Sequence, residues 1–344
     1  MTSFVRIGID IAKNFFQVHA LPDEGAAPVR RKLSRAKFLD FFRDLPPCRI
    51  GVEACGSAHH WGRELRRLGH DVVLIPPIYT KPYVKRGKND AADAEAICEA
   101  MSRPGMRYVP IKTTDQQALL GLHTYRDLLI KQQTMCVNSL RSFLAEFGVV
   151  TAQSIYQIPE LLSAGRDDST LPALAKARLD VDAAVIATLA KGIADLDRQI
   201  AQVHASNPVS QLLDEVPGIG VLTASAVVAH VPDATYFQSG RDFSAWLGLT
   251  PREHSSGGKT KLGAISKRGN PYLRKLLVLA ATSLLRVQSR RTGALAEWVA
   301  ALLARKPARL VTVALANRLA RTLWAMMKTG EAFREEIFAR STTA

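Results

Sequence analysis

Apolar and polar positions alternate almost from the first residue. Val5, Ile7, Ile9 and Ile11 are separated by Arg6, Gly8 and Asp10, the period of a strand. Lys13-Asn14 predicts a turn and Phe16 to Leu21 a returning strand. Lys37 to Leu45 has helical spacing and is closed by Pro46-Pro47. Arg49 to Ala54 predicts a short strand, and Trp61 to Leu68 an amphipathic helix stopped by Gly69. Asp71 to Ile75 predicts another strand, halted by Pro76-Pro77; Asn89 or Asp90 then caps a helix running to Met101. A strand hairpin followed by alternating helices and strands predicts one α/β domain over residues 1–112.

From Asp115 the period becomes helical. Leu119, Leu122, Leu129, Leu140, Leu144 and Phe147 are core candidates of a helix that a polar stretch, Ser154 to Ser169, interrupts. A second helix is predicted near Leu171 to His204. Its apolar positions Val185, Leu189, Ile193, Leu196, Ile200 and Val203 are spaced 4, 4, 3, 4, 3. That is near a heptad seam and reads as a coiled coil or as one long helix of a bundle. Residues 113–206 form a helical linking and oligomerisation region in this reading. The last region, 207–344, opens with Asn207-Pro208 and holds Val216-Pro217-Gly218-Ile219-Gly220 before an apolar helix. This looks like a helix-hairpin-helix element, in which Gly218 and Gly220 permit close backbone approach and helix-start amides bind phosphate. A plain helix–helix turn is the alternative. The overall expectation is α/β followed by α.

Composition narrows the partner class. With 344 residues the chain has room for about two domains, and 47% apolar residues suffice for a core. The net charge of +15 favours a polyanion. Between Arg241 and Arg291 stand 11 Lys/Arg against 2 Asp/Glu, so the positive charge is concentrated late. Lys259, Lys261, Lys267, Arg268, Arg274 and Lys275 are the expected nucleic-acid contacts; such contacts to phosphate are sequence-independent and weaken with salt. Four cysteines without metal or disulfide spacing read as reduced thiols, and Arg6 and Asp10 break the first apolar stretch, so a cytoplasmic protein is expected. The run Leu276 to Leu285 is about half of a membrane span. His59-His60 precede an amphipathic helix beside Glu53 and add little; His254, beside the Ser/Gly loop, reads as a surface histidine, although it could assist proton transfer.

The candidate chemistry lies in four acids. Asp10 shares a strand face with Gly8, and Glu53 shares one with Gly51. The missing side chains predict space beside each acid for a metal ion or phosphate. Asp90 and Asp93 share one face at a helix start. If the four converge, their repulsion requires bound cations or raised pKa values, and an all-oxygen set suits Mg²⁺ or Mn²⁺. Two such ions about 4 Å apart can activate a nucleophile and stabilise the leaving oxygen of a phosphodiester.

These residues carry a resemblance. Gly8-Ile9-Asp10-Ile11-Ala12-Lys13, then Val52-Glu53-Ala54-Cys55-Gly56, then Lys88-Asn89-Asp90-Ala91-Ala92-Asp93-Ala94 resembles the DEDD transposases of the insertion sequence one-ten family, the bridge-RNA-guided recombinases. The resemblance implies a RuvC-like, RNase H-type N-terminal domain in which Asp10, Glu53, Asp90 and Asp93 bind two Mg²⁺ ions. It further implies a serine nucleophile in a Ser-Gly pair after the Gly248-Leu249-Thr250-Pro251 segment, which matches Ser256-Gly257. Ser255 is adjacent, and Ser256 is preferred because Gly257 follows it. Implied partners are element-end and target DNA, a noncoding bridge RNA, and further copies of the chain in a dimer to tetramer, located at the bacterial nucleoid. Rival readings are a RuvC-like nuclease that uses water, an actin-like sugar kinase suggested by Gly8-Ile9-Asp10, and a non-catalytic nucleic-acid-binding protein.

Overall fold

A computed structural model describes residues 3–22, 26–84, 90–253 and 261–336. The chain divides into two compact units, Met1–Thr114 and Asp115–Ala344.

The first unit is built on β1 (Phe4–Ile11), β2 (Phe15–Pro22), β3 (Val29–Ser34), β4 (Arg49–Glu53) and β5 (Asp71–Ile75). Between and after them lie α1 (Phe38–Arg43), α2 (Ala58–Arg67), α3 (Pro77–Thr80) and α4 (Asp90–Ala100). The strands form one sheet in the order β3-β2-β1-β4-β5. β1, β2 and β3 pair antiparallel, whereas β4 runs parallel to β1 and β5 parallel to β4. The alternation read in β1 determines what each face meets. Ile7 and Ile9, with Ile50 and Val52 of β4, enter an aromatic core with Phe16, Phe38, Phe42 and Trp61. Gly8 and Asp10, in register with Gly51 and nearing Glu53, take the opposite face, which α4 covers.

β3 was absent from the strand pattern read above. It is an edge strand whose Arg30, Arg31 and Lys32 are exposed, so only Val29 and Leu33 carry an apolar signal. Arg30 reaches α4 through an ion pair with Glu95 at 2.9 Å.

The second unit is helical. It comprises α5 (Thr114–Ala145), α6 (Ile158–Asp167), α7 (Ala173–Ala205), α8 (Pro208–Asp214), α9 (Val221–His230) and α10 (Gly240–Trp246). A two-stranded hairpin, β6 (Pro251–Glu253) and β7 (Leu262–Ile265), precedes α11 (Pro271–Arg286), α12 (Ala294–Leu303) and α13 (Ala308–Thr329). The mixed first part and helical remainder agree with the sequence pattern. One helix was missed: the polar stretch 154–169 contains α6, which buries Leu161 and Leu162 against Leu140, Leu144 and Leu179. Its Pro159 sits in the first turn, where no N–H is needed.

The predicted α7 seam divides between two environments. Leu196 and Ile200 are buried within the chain, whereas Leu174, Val181 and Val185, on one stripe, are exposed. The main core of the unit gathers Val227, Phe243, Leu277, Leu315 and Leu319 from α9, α10, α11 and α13. Among the described residues, no helix is long and apolar enough to cross a membrane.

Candidate active site

The two glycines beside the acids have a different role from the one expected. A Cβ on Gly8 would lie 2.2 Å from the carbonyl oxygen of Ala94 and 2.6 Å from the amide nitrogen of Cys98. A Cβ on Gly51 would lie 3.0 Å from the Met101 sulfur. The space is therefore filled by α4 and its C-terminal end, not left open for a ligand. Small residues on α4, chiefly Ala94, complete the close approach. Its effect is to press the first turn of α4, with Asp90 and Asp93, against the end of β1.

Asp10, Asp90 and Asp93 thereby converge. One carboxylate oxygen from each lies within 4.8 Å of the others. Asp10 is half-buried, and its carboxyl is pushed up to about 6, first by burial, then by the negative charges of Asp93, Asp90 and Glu53. The backbone N–H of Ile11 opposes the rise. Asp90 and Asp93 sit in the first turn of α4, where the helix dipole favours negative charge. Three carboxylates at this spacing form a hard, all-oxygen donor set that fits a divalent cation.

Glu53, at the end of β4, lies outside that three-acid group but close enough to act on Asp10. Its Oε2 accepts a hydrogen bond of 2.6 Å from the Thr80 hydroxyl. Thr80 is buried at the end of α3 and also lies 3.1 Å from the Pro77 carbonyl. The sequence pattern gave no sign of this partner. Pro76-Pro77, read only as a strand stop, forms the cap and first position of the short helix that carries Thr80.

In the second unit, Ser255, Ser256 and Lys259, together with His254, lie outside the described residues. The strands on either side are fixed at their base. The amide of Ser266 donates to the Thr250 carbonyl at 2.8 Å, and that of Lys267 to the Gly248 carbonyl at 3.1 Å. Lys261, Lys267 and Arg268 are exposed around this hairpin. Arg274 is partly occupied by the fold: its Nη1 donates to the carbonyls of Leu247 at 2.8 Å and Arg268 at 3.3 Å. Lys275 pairs with Asp127 and lies 5.2 Å from the centre of the Tyr272 ring. Gly220 is open at the start of α9. Gly218 has φ +80°, and a Cβ there would stand 2.8 Å from Leu284, so close packing on α11 already demands glycine.

Comparison with known proteins adds an independent line. A transposase profile of the DEDD, IS110 type matches residues 7–148, and the profile of the IS116/IS110/IS902 transposase family matches residues 210–296. A Sinorhizobium fredii protein described as a transposase is 47% identical over 96% of this chain and 86% of its own length. The transposase for insertion sequence element IS1328 of Yersinia enterocolitica is 38% identical over 97% of this chain and 99% of its own. The transposase for insertion sequence element IS1111A of Coxiella burnetii is 37% identical over 95% and 91%.

Proposed function

The chain belongs to the IS116/IS110/IS902 family of transposases and is an enzyme that acts on DNA; from that premise we propose that it moves an insertion sequence by RNA-guided strand cleavage and exchange through a covalent serine–DNA intermediate. The observation that carries the reading is the convergence of Asp10, Asp90 and Asp93 beside Glu53 in a DNA-acting family.

The first unit is read as RuvC-like. The strand order β3-β2-β1-β4-β5, with acids on the central strand, at the end of β4 and on the covering helix, supports that assignment. Asp10, Asp90 and Asp93, with Glu53 as the fourth acid, would hold two Mg²⁺ ions, Mn²⁺ being an alternative. Such ions supply Lewis-acid stabilisation of phosphoryl oxygens and acidify a bound hydroxyl. Thr80 orients Glu53, and α4 fixes Asp90 and Asp93 relative to Asp10.

Ser256 is the proposed nucleophile. Its Oγ gives up its proton and forms a bond to phosphorus, the bond to the leaving strand breaks, and the departing oxygen takes up a proton to leave as a hydroxyl. The hydroxyl of a second strand then attacks the same phosphorus and releases the serine. The phosphodiester energy is kept in the covalent link, so exchange needs no nucleotide hydrolysis. The basic residues Lys259, Lys261, Lys267 and Arg268 surround this segment in sequence and suit developing phosphate charge. Residues 1–112, 113–206 and 207–344 then act as metal-binding, assembling and strand-joining regions. The exposed stripe of Leu174, Val181 and Val185 on α7 supports assembly into a dimer or tetramer. The proposed partners are element-end and target DNA and a noncoding bridge RNA, met at the nucleoid. The open space beside Gly220, at the start of α9, is consistent with a phosphate-binding hairpin.

The test uses full-length protein, its co-purified RNA, element-end DNA and Mg²⁺, with mass-spectrometric mapping of any adduct. An adduct on Ser256, lost in Ser256→Ala and kept in Ser255→Ala, supports the reading. Unchanged strand cleavage by Ser256→Ala assigns attack to water and overturns it.

A further inference from the structure

A second charged site lies in the first unit, apart from the acids. His59, Arg63, Arg66 and Arg67 share one face of α2. After β5 pairs with Val109, the chain crosses this helix, and Ile111 packs where Gly62 has no side chain. A Cβ on Gly62 would stand 2.7 Å from the end of the Ile111 side chain, so the chain passes close over the helix at this point. It brings Lys112 against His59 and leaves a cavity of about 290 Å³ lined by Arg63, Arg66, Arg67, Ile111, Lys112 and Thr113.

The hydrogen bonds fix the chemistry of this cavity. The Lys112 backbone N–H donates to His59 Nδ1 at 3.2 Å, so Nδ1 is an acceptor. Burial and the neighbouring Lys112 and Arg63 charges lower the His59 pKa to about 4, and its ring is neutral at pH 7. A neutral imidazole that accepts at Nδ1 must carry its proton at Nε2. Nε2 lies 3.5 Å from the Lys112 ammonium nitrogen. An Nε2–H and an ammonium are both donors and cannot satisfy one another. Lys112 is only 8% exposed, and no carboxylate pairs with it or with Arg63 among the described residues. Glu64, the acid on this helix, is engaged by Arg67 and His60. Arg63 is held in place by donating to the Lys112 carbonyl at 2.8 Å, and Arg66 by donating to the Val72 carbonyl at 3.0 Å. The His59 Nε2–H and the Lys112 ammonium therefore face each other as two donors, beside two guanidiniums anchored on backbone carbonyls, and an oxyanion supplies the acceptor they lack.

We propose that this pocket, lined by Arg63, Arg66 and Lys112 with His59 set against Lys112, is a phosphate-binding site that holds one backbone phosphate of duplex DNA. The choice of DNA rests on the family's action on DNA and not on the acid cluster or the serine chemistry. A phosphate oxygen accepts from Lys112 and from His59 Nε2–H, and the guanidinium of Arg63 flanks it. The contact is to the backbone, so it adds affinity and register without sequence preference.

Anisotropy titrations of full-length protein with two unrelated labelled duplexes, from 50 to 200 mM KCl, read the contact without any cleavage step. The expected result for Lys112→Met, which keeps the packed stem, is a slope of log K against log salt shallower by about 0.9, with equal loss on both duplexes. Lys112→Arg restores the slope, and His59→Gln, a change that leaves net charge intact, weakens binding with the slope kept. Urea midpoints matching the parent protein show that the variants fold. An unchanged slope in folded Lys112→Met overturns the proposal. So does loss confined to an RNA hairpin, or stabilisation by inorganic phosphate alone with duplex binding unaltered. Failure of serine-adduct formation leaves these titrations unaffected, so the two readings fail separately.

Discussion

Gly8 and Ala94 meet so closely that the space where a side chain would begin is occupied by a carbonyl oxygen, 2.2 Å from the position of a Cβ. This contact, between the central strand and the covering helix, decides whether Asp90 and Asp93 reach Asp10. Gly8→Ala must push α4 away, because backbone atoms cannot yield as a flexible side chain can. The expected cost is about 3 kcal/mol or more of stability, with metal binding and strand cleavage lost together although all four acids remain. Calorimetric titration of Mg²⁺ into a Gly8→Ala sample shown by circular dichroism to be folded checks this. Parent-like metal affinity would remove the glycine contact from the account.

The acid cluster makes stability depend on pH. The folded-state pKa of Asp10 is raised from 3.8 to about 6. Its protonated form is the one the fold prefers, so its contribution is fully present below 3.8 and lost as pH rises through 6. After allowance for partial solvent screening, the loss amounts to about 1 to 2 kcal/mol. Metal-free protein is therefore expected to melt lower at pH 8 than at pH 5.5 on account of this site, and Mg²⁺ to restore the difference at pH 8. In Asp10→Asn both the pH trend from this group and most of the Mg²⁺ response should vanish. Melting curves at the two pH values, with and without Mg²⁺, are sufficient.

Thr80 has one proton and two acceptors, and the shorter contact is to Glu53. Removing the hydroxyl while keeping its volume, as in Thr80→Val, should release Glu53 from its orientation. A hydrogen bond to a charged group contributes about 1.5 to 3 kcal/mol, which sets the expected fall in strand-cleavage rate at roughly tenfold to a hundredfold. Thr80→Ser should recover most of it. Equal rates for Thr80→Val and the parent protein, measured at saturating Mg²⁺, would leave Thr80 as packing only.

How far the sequence carried the fold depends on what each pattern could encode. The alternation of Ile7 and Ile9 with Gly8 and Asp10 placed the acid on the correct strand face. It could not say what lay against that face, because a missing side chain at Gly8 or Gly51 looks the same in sequence whether a ligand or a helix backbone fills it. Asp90 and Asp93 were legible through their three-residue spacing at a helix start. β3 was not, because its exposed basic residues mask the period of an edge strand. Thr80 was silent, since its partner is 27 residues away in sequence and joined only by the fold. His59 carried little signal in the sequence, because its donor and neighbour, Lys112, is brought to it only by the fold.

Within the second unit, His123 is completely buried between Tyr272 and Ser225. The Ser225 hydroxyl donates to the Val221 carbonyl at 2.6 Å, so it accepts from His123 Nε2–H, and Nδ1 accepts from the Tyr272 hydroxyl at 3.1 Å. Every member of this chain is satisfied only while the imidazole is neutral. Burial, then the charges of His230 and Arg126, lower its pKa from 6.5 to about 4. The unfolded chain therefore takes up this proton before the folded chain does. The contribution is complete above 6.5, falls as pH drops from there, and levels off below about 4. The full span is worth about 3 kcal/mol at most. Urea unfolding between pH 4.5 and 7 should show a midpoint that rises with pH. The rise should be smaller in His123→Gln, which cannot take up a proton yet can still donate to Ser225. An identical pH slope in the two proteins would place the acid sensitivity elsewhere in the helical unit.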